Sequence, residues 1–181
     1  LGASISIDHG YIEAKASRLV GNEIYFDMPT VTGTENLMMA AALAKGNSLL
    51  RNTAREPEIV ALADALNQMG AKISGAGCPV ISIEGVDNLH AADIDIIPDR
   101  IETGTFMVAA AATGGDVFIT DCAPEHTRGI TTKLKATGAK VETGDDYIRV
   151  IGADTIKSVD IKTLPYPGFP TDMQAQFMAL M

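Results

Sequence analysis

The chain repeats itself, and this limits its fold more than any single motif. Leu37-Met38-Met39-Ala40-Ala41-Ala42 is echoed by Phe106-Met107-Val108-Ala109-Ala110-Ala111, Ala54 returns as Ala123 after 69 residues, and Gly70-Ala71-Lys72 returns as Gly138-Ala139-Lys140. Similarity at a fixed internal period means one supersecondary unit used several times, each copy burying its apolar face against its neighbours. In the first copy Ile24-Tyr25-Phe26 reads as a strand, Met28 to Gly33 as a loop, Thr34 to Ala44 as a helix and Ser48-Leu49-Leu50 as a strand. A second helix opens at Pro57, carries Ile59, Leu62, Ala63, Leu66 and Met69 at helical spacing and stops at Gly70. Lys72–Ser74 and Val80–Ile83 then form a hairpin. The resulting βαβαββ unit spans 24–92, returns over 94–156 and opens a third time at Val159-Asp160-Ile161. Residues 1–23 precede it as a strand pair, Ser4–Ile7 and Tyr11–Ala14, turning at Asp8-His9-Gly10, with His9 a solvated turn residue.

The leading helix of each copy is apolar all round and rich in alanine, the mark of a helix buried on every side. The strands alternate, as in Ile81 and Ile83 against Ser82 and Glu84, which suits sheets with one wet face. Helices inside and sheets outside make a mixed α and β fold, an inside-out α/β barrel or β-prism. A doubly wound nucleotide fold would need a central parallel sheet, and no G-x-G-x-x-G follows any strand.

Composition excludes several classes of function. The net charge of −9, with no Lys/Arg cluster, argues against nucleic acid. It also means that an anionic substrate must be held by helix N-termini and a few well-placed cations. Cys78 and Cys122 form no C-x-x-C pair and His9, His90 and His126 are scattered, so neither a metal nor a cofactor is expected. The longest apolar runs are far too short for a membrane span, and reduced thiols in a cytoplasmic protein are expected. Leu1 enters mid-pattern and Phe177 to Met181 is an apolar helix without a stop signal, so the chain reads as an internal piece.

Three polar corners open helices: Thr30-Val31-Thr32-Gly33, Pro98-Asp99-Arg100-Ile101-Glu102-Thr103-Gly104 and Phe169-Pro170-Thr171-Asp172. Thr171 suits a cap and Pro170 a helix start, which puts the Asp172 carboxylate in a first turn. Capping alone, at roughly 0.3–1 kcal/mol, would account for such a residue as well as chemistry would. Arg55-Glu56-Pro57-Glu58 reads equally as a solvated cap or a substrate contact. His126 beside Glu125 reads as a surface-helix residue, and the two cysteines as inert thiols without activating neighbours.

Four segments in order, Thr32-Gly33-Thr34-Glu35-Asn36, Ala54-Arg55-Glu56-Pro57-Glu58-Ile59-Val60, Pro98 to Phe106 and Phe169 to Gln176, resemble those of the bacterial UDP-N-acetylglucosamine enolpyruvyl transferases. The resemblance implies the inside-out barrel and transfer of enolpyruvate from phosphoenolpyruvate to the 3-hydroxyl of UDP-N-acetylglucosamine, the first committed step of peptidoglycan synthesis. It makes Asp172 the carboxylate that contacts the reacting hydroxyl and acts as general base. It places Met28, Pro29, Thr30 and Val31 at the uridine-diphosphate end, Asp99 and Arg100 at the interdomain crossing near phosphoenolpyruvate, and Thr171 beside the base. Residues 1–96 would end one transferase domain and 97–181 begin the next. The family's cysteine-bearing loop would lie upstream of Leu1, with Cys78 and Cys122 not matching it, so the 181 residues alone are expected to be inactive. A shikimate-phosphate transferase relative, or a non-catalytic module binding a nucleotide sugar or a subunit, are the alternative readings.

Overall fold

A computed structural model describes residues 1–181 and divides them into two units, Leu1–Asp95 and Ile96–Met181. The first begins with an antiparallel hairpin, β1 (Ser4–Asp8) and β2 (Tyr11–Lys15), in which Ile7 faces Ile12. Its turn needs a left-handed backbone at His9, φ 49°, and at Gly10, φ 82°. Both strands are exposed throughout, His9 included.

The repeat follows as β3 (Glu23–Tyr25), α1 (Val31–Ala42), β4 (Asn47–Arg51), α2 (Pro57–Gln68), β5 (Lys72–Ser74) and β6 (Val80–Glu84). The sheet order is β3-β4-β6-β5, with β3 parallel to β4 across the α1 crossover and the other pairs antiparallel. Along β6, Ile81 and Ile83 are fully buried while Ser82 and Glu84 are exposed, so one face of the sheet carries α1 and α2 and the other meets water. Pro57 starts α2 where its missing N–H costs nothing, and Gly70, at φ 99°, turns the chain into β5.

The second unit runs α3 (Arg100–Ala112), β7 (Asp116–Ile119), a 3-10 turn (Pro124–Thr127), α4 (Arg128–Thr137), β8 (Lys140–Thr143) and β9 (Ile148–Ile151). A second 3-10 turn (Thr171–Met173) leads into α5 (Gln174–Leu180). Its antiparallel sheet, β7-β9-β8, has the topology of β4-β6-β5. The repeat extends to backbone detail. Asn52 and Asp121, 69 residues apart, both leave their strands in the left-handed region at φ 57° and 52°. The Gly85 N–H donates to the Gly46 carbonyl at 2.9 Å, and the Gly152 N–H to the Gly115 carbonyl at 2.8 Å, closing the two units in the same way. Each unit has its own core: Met38, Leu50, Ile59, Ile81 and Ile83 in one, Met107, Leu134, Ile148, Val150 and Phe177 in the other.

The structure departs from the sequence reading in four places. Helix α1 begins at Val31 and not Thr34, because Thr30 accepts a hydrogen bond from the Gly33 N–H and caps it early. The strands expected to open the second copy at Ile94 and the third at Val159 do not form, since neither segment has a ladder partner, and Ile96 is 88% exposed. The leading helices keep single apolar residues exposed, Met39 in α1 and Phe106 in α3, while α3 is otherwise packed between its sheet and α5. At the last corner Thr171 caps nothing. Pro170 occupies the cap position without a side-chain bond, and Asp172 lies in the 3-10 turn ahead of α5.

Candidate active site

Two of the three corners are built alike. In the first unit the Thr30 carbonyl accepts from the Thr34 hydroxyl at 2.7 Å and the Thr34 N–H at 3.0 Å. In the second unit the Asp99 carbonyl accepts from the Thr103 hydroxyl at 2.8 Å and the Thr103 N–H at 3.0 Å. The Asp99 carboxylate accepts the Ile101 and Glu102 N–H groups at 2.7 and 3.2 Å. Asp99 is therefore a strong helix cap, its charge set against the positive end of α3. Of the remaining candidates on the first unit, Met28 is 76% exposed, while Val31 is half-buried as the first residue of α1. Pro29 is exposed and Thr30 half-buried at the same corner.

Close by, Glu35, one turn into α1, has its carboxyl held above the usual range, by burial first and then by the negative charges of Glu58 and Glu56. The corner at Arg55–Glu58 therefore faces α1 with like charge. Arg55 donates its N–H to the Glu56 carboxylate at 2.8 Å.

On the second unit, Thr171 and Asp172 are exposed in a turn closed by the Met173 N–H bonding to the Pro170 carbonyl at 3.2 Å. The turn rests on a dry base. Met173 and Phe177 are buried, Phe177 meets Phe169 edge-on with centroids 4.9 Å apart, and Gln176 Nε2 donates to Thr105 Oγ1 at 3.0 Å. A Cβ at Gly104 would come within 3.1 Å of Met173 Sδ, so α3 approaches the turn through a glycine. The Asp172 side chain is thus exposed to solvent above a buried, packed base.

Arg100 is almost fully buried, with its guanidinium carbon 5.8 Å from the centroid of the Tyr166 ring. The two line a cleft of about 220 Å³ that also takes in Glu125, His126, Arg128 and Pro170. The structure thus brings Arg100 to the wall that leads to Asp172. His126 is not the surface-helix residue expected, because its 3-10 turn folds it inward and leaves Nδ1 buried without a partner. The sequence signal was slight, and the partner loop Leu164–Pro170 lies about 40 residues away. Both cysteines are free, Cys78 exposed and Cys122 buried, and burial pushes the Cys122 thiol up, which suits an inert group.

The fold is shared with solved enolpyruvyl transferases. The chain matches the crystal structure of the enolpyruvyl transferase NikO from Streptomyces tendae with a TM-score of 0.84 at 21% identity, over 99% of this chain and 46% of that one. An EPSP synthase from Acinetobacter baumannii matches with a TM-score of 0.60 at 24% identity, over 87% of this chain and 38% of that one. At such identities the likeness is one of fold. The chain belongs to the EPSP synthase (3-phosphoshikimate 1-carboxyvinyltransferase) family, whose model matches residues 1–181. Within that family it is 70% identical over all 181 residues to a UDP-N-acetylglucosamine 1-carboxyvinyltransferase of Desulforapulum autotrophicum. It is 62% identical to a protein of the same name from Desulfosudis oleivorans, and it spans 43% of the length of each.

Proposed function

We propose that these residues are part of an enzyme that transfers enolpyruvate from phosphoenolpyruvate to the 3-hydroxyl of UDP-N-acetylglucosamine, with release of phosphate, in peptidoglycan synthesis in the cytoplasm. The observation that carries the reading is the 70% identity across the whole chain to a protein named for that reaction. In this reading residues 1–96 end one transferase domain and 97–181 begin the next. The chain, spanning 43% of that relative, does not turn over substrate alone.

Asp172 is the general base. It sits exposed on a turn anchored by Met173 and Phe177, so it can reach a hydroxyl while its backbone stays fixed. As that oxygen adds to the central carbon of phosphoenolpyruvate and the methylene carbon takes up a proton, the hydroxyl proton passes to the Asp172 carboxylate, which must be within hydrogen-bond reach. Loss of a methyl proton and of phosphate then restores the double bond. Thr171 orients the same hydroxyl region. Met28, Pro29, Thr30 and Val31 form the contact for the nucleotide end, where the N-terminus of α1 favours an anionic group. Asp99 fixes the start of α3 and so the position of Arg100, whose charge serves the phosphoenolpyruvate side.

The test is Asp172→Asn in the full-length enzyme, which keeps the shape and removes the base. We expect kcat to fall by about 10²- to 10⁴-fold, the usual contribution of a positioned base, with KM for the nucleotide sugar changed by less than about threefold. Unchanged turnover would remove Asp172 from the reaction.

A further inference from the structure

The cleft in the second unit is lined by Arg128 and His126, two residues that the transferase reading does not use. It lies between the start of α4, the 3-10 turn ahead of it and the loop that ends at Pro170. Two guanidinium-bearing residues, Arg100 and Arg128, line it with His126. The single opposing carboxylate is Glu125, more than half exposed and 3.8 Å from His126 Nε2. The Arg128 guanidinium forms no ion pair, although the chain as a whole carries nine excess negative charges and most of its other arginines are matched to carboxylates. His126 Nδ1 is buried without a hydrogen-bond partner. Such an atom costs on the order of 1–3 kcal/mol unless something meets it.

We propose that this cleft binds a small oxyanion, a phosphate or carboxylate group, held by Arg128 and His126 against the wall formed by Tyr166 and Gly168. The space suits it. A water occupies about 30 Å³ of liquid, so a cleft of about 220 Å³ admits a tetrahedral oxyanion together with a few waters. The planar fork of Arg128 matches two oxygens of either group, and the orphaned imidazole nitrogen supplies a donor when it carries the proton. The Gly129 backbone approaches the Gly168 carbonyl so closely that a Cβ there would lie 3.3 Å from it, so the two sides of the cleft are in close contact. From Gly168 the wall continues through Pro170 into the turn bearing Asp172. An anion bound here therefore steadies the segment that presents that carboxylate.

The experiment is a titration of the ¹⁵N-labelled protein with sodium phosphate and, separately, sodium acetate, at constant ionic strength balanced by chloride. Saturable shifts of the Gly129 and Gly168 amides are expected, with a dissociation constant raised roughly tenfold or more in Arg128→Gln, the change that loss of one charge-assisted contact brings. His126→Phe should weaken binding as well, and Arg149→Gln on the outer face of the sheet should not. Saturation by phosphate alone assigns a tetrahedral group and saturation by acetate alone a carboxylate, and either supports the site. Shifts that grow linearly without saturating, or an affinity unchanged by Arg128→Gln, would overturn it.

Discussion

Glu35 shows what one carboxyl costs when a helix start faces another of like charge. Its pKa is raised, chiefly by burial and then by Glu58 and Glu56, so the folded chain holds this proton more tightly than the unfolded chain. The sign follows from linkage. Below the ordinary carboxyl value both states are protonated and Glu35 contributes nothing; as pH rises from there through the raised value, the unfolded chain releases its proton first and stability falls. At pH 7 the charged group is a net destabiliser. Glu35→Gln is therefore expected to raise the melting temperature at pH 7 and to leave it unchanged below about pH 4, the ordinary range for Glu. Thermal unfolding of both proteins across pH 3–8 checks this, and a variant that melts lower at pH 7 would show that the carboxylate has a favourable partner outweighing burial. Asp116 runs the opposite way. A two-point hydrogen bond from Arg149, at 2.8 and 2.7 Å, holds its carboxyl below the usual range, and this contribution, complete at neutral pH, fades as pH falls through that lowered value.

Among the elements, those with a local cause were legible in the sequence and those that need a partner were not. Helix α2 declared itself through Pro57, the spacing of Ile59, Ala63 and Leu66, and Gly70, all acting within one helix length. The β5–β6 hairpin and the alternation of Ile81 and Ile83 were equally local. Ile94-Asp95-Ile96 has the alternation of a strand but no ladder, because pairing is decided by what lies alongside. The same limit hid the cleft. His126, folded inward by its 3-10 turn, lines the cleft with a loop distant in sequence, and Gly104 owes its importance to Met173 and Ile130. At Gly104 a Cβ would come within 2.6 Å of Ile130 Cδ1 and 3.1 Å of Met173 Sδ, so α3 is pressed against the support of the Asp172 turn at the one position without a side chain. Replacing glycine inside a helix favours the helix by up to about 1 kcal/mol. Overpacking costs about 1–3 kcal/mol, and a β-branched residue adds to it. Gly104→Val should therefore lose roughly 1–3 kcal/mol in urea unfolding, and a gain in stability would show that this contact relaxes freely.

At the scale of the whole molecule, the repeat produces two cores that share no residue, each made by a sheet with helices on its dry face. Contacts of this kind act at short range, so a cavity should be felt within its own core and not beyond it. Ile83 is a clean probe. It is fully buried, lies on β6 in antiparallel register with Ile73 of β5, and belongs to the cluster that contains Met38, Leu50 and Ile59. Ile83→Ala removes three carbons from a packed site and should cost about 2–5 kcal/mol. Native-state hydrogen exchange can locate that loss. Protection is expected to fall at the amides of α1, β4, β5 and β6 while those of α3, β8 and β9 keep their rates, because opening of the first core leaves Met107, Leu134 and Val150 covered by their own neighbours. A uniform loss of protection along the chain would mean that the two cores open together, and that the repeat acts as one cooperative body despite its separate interiors.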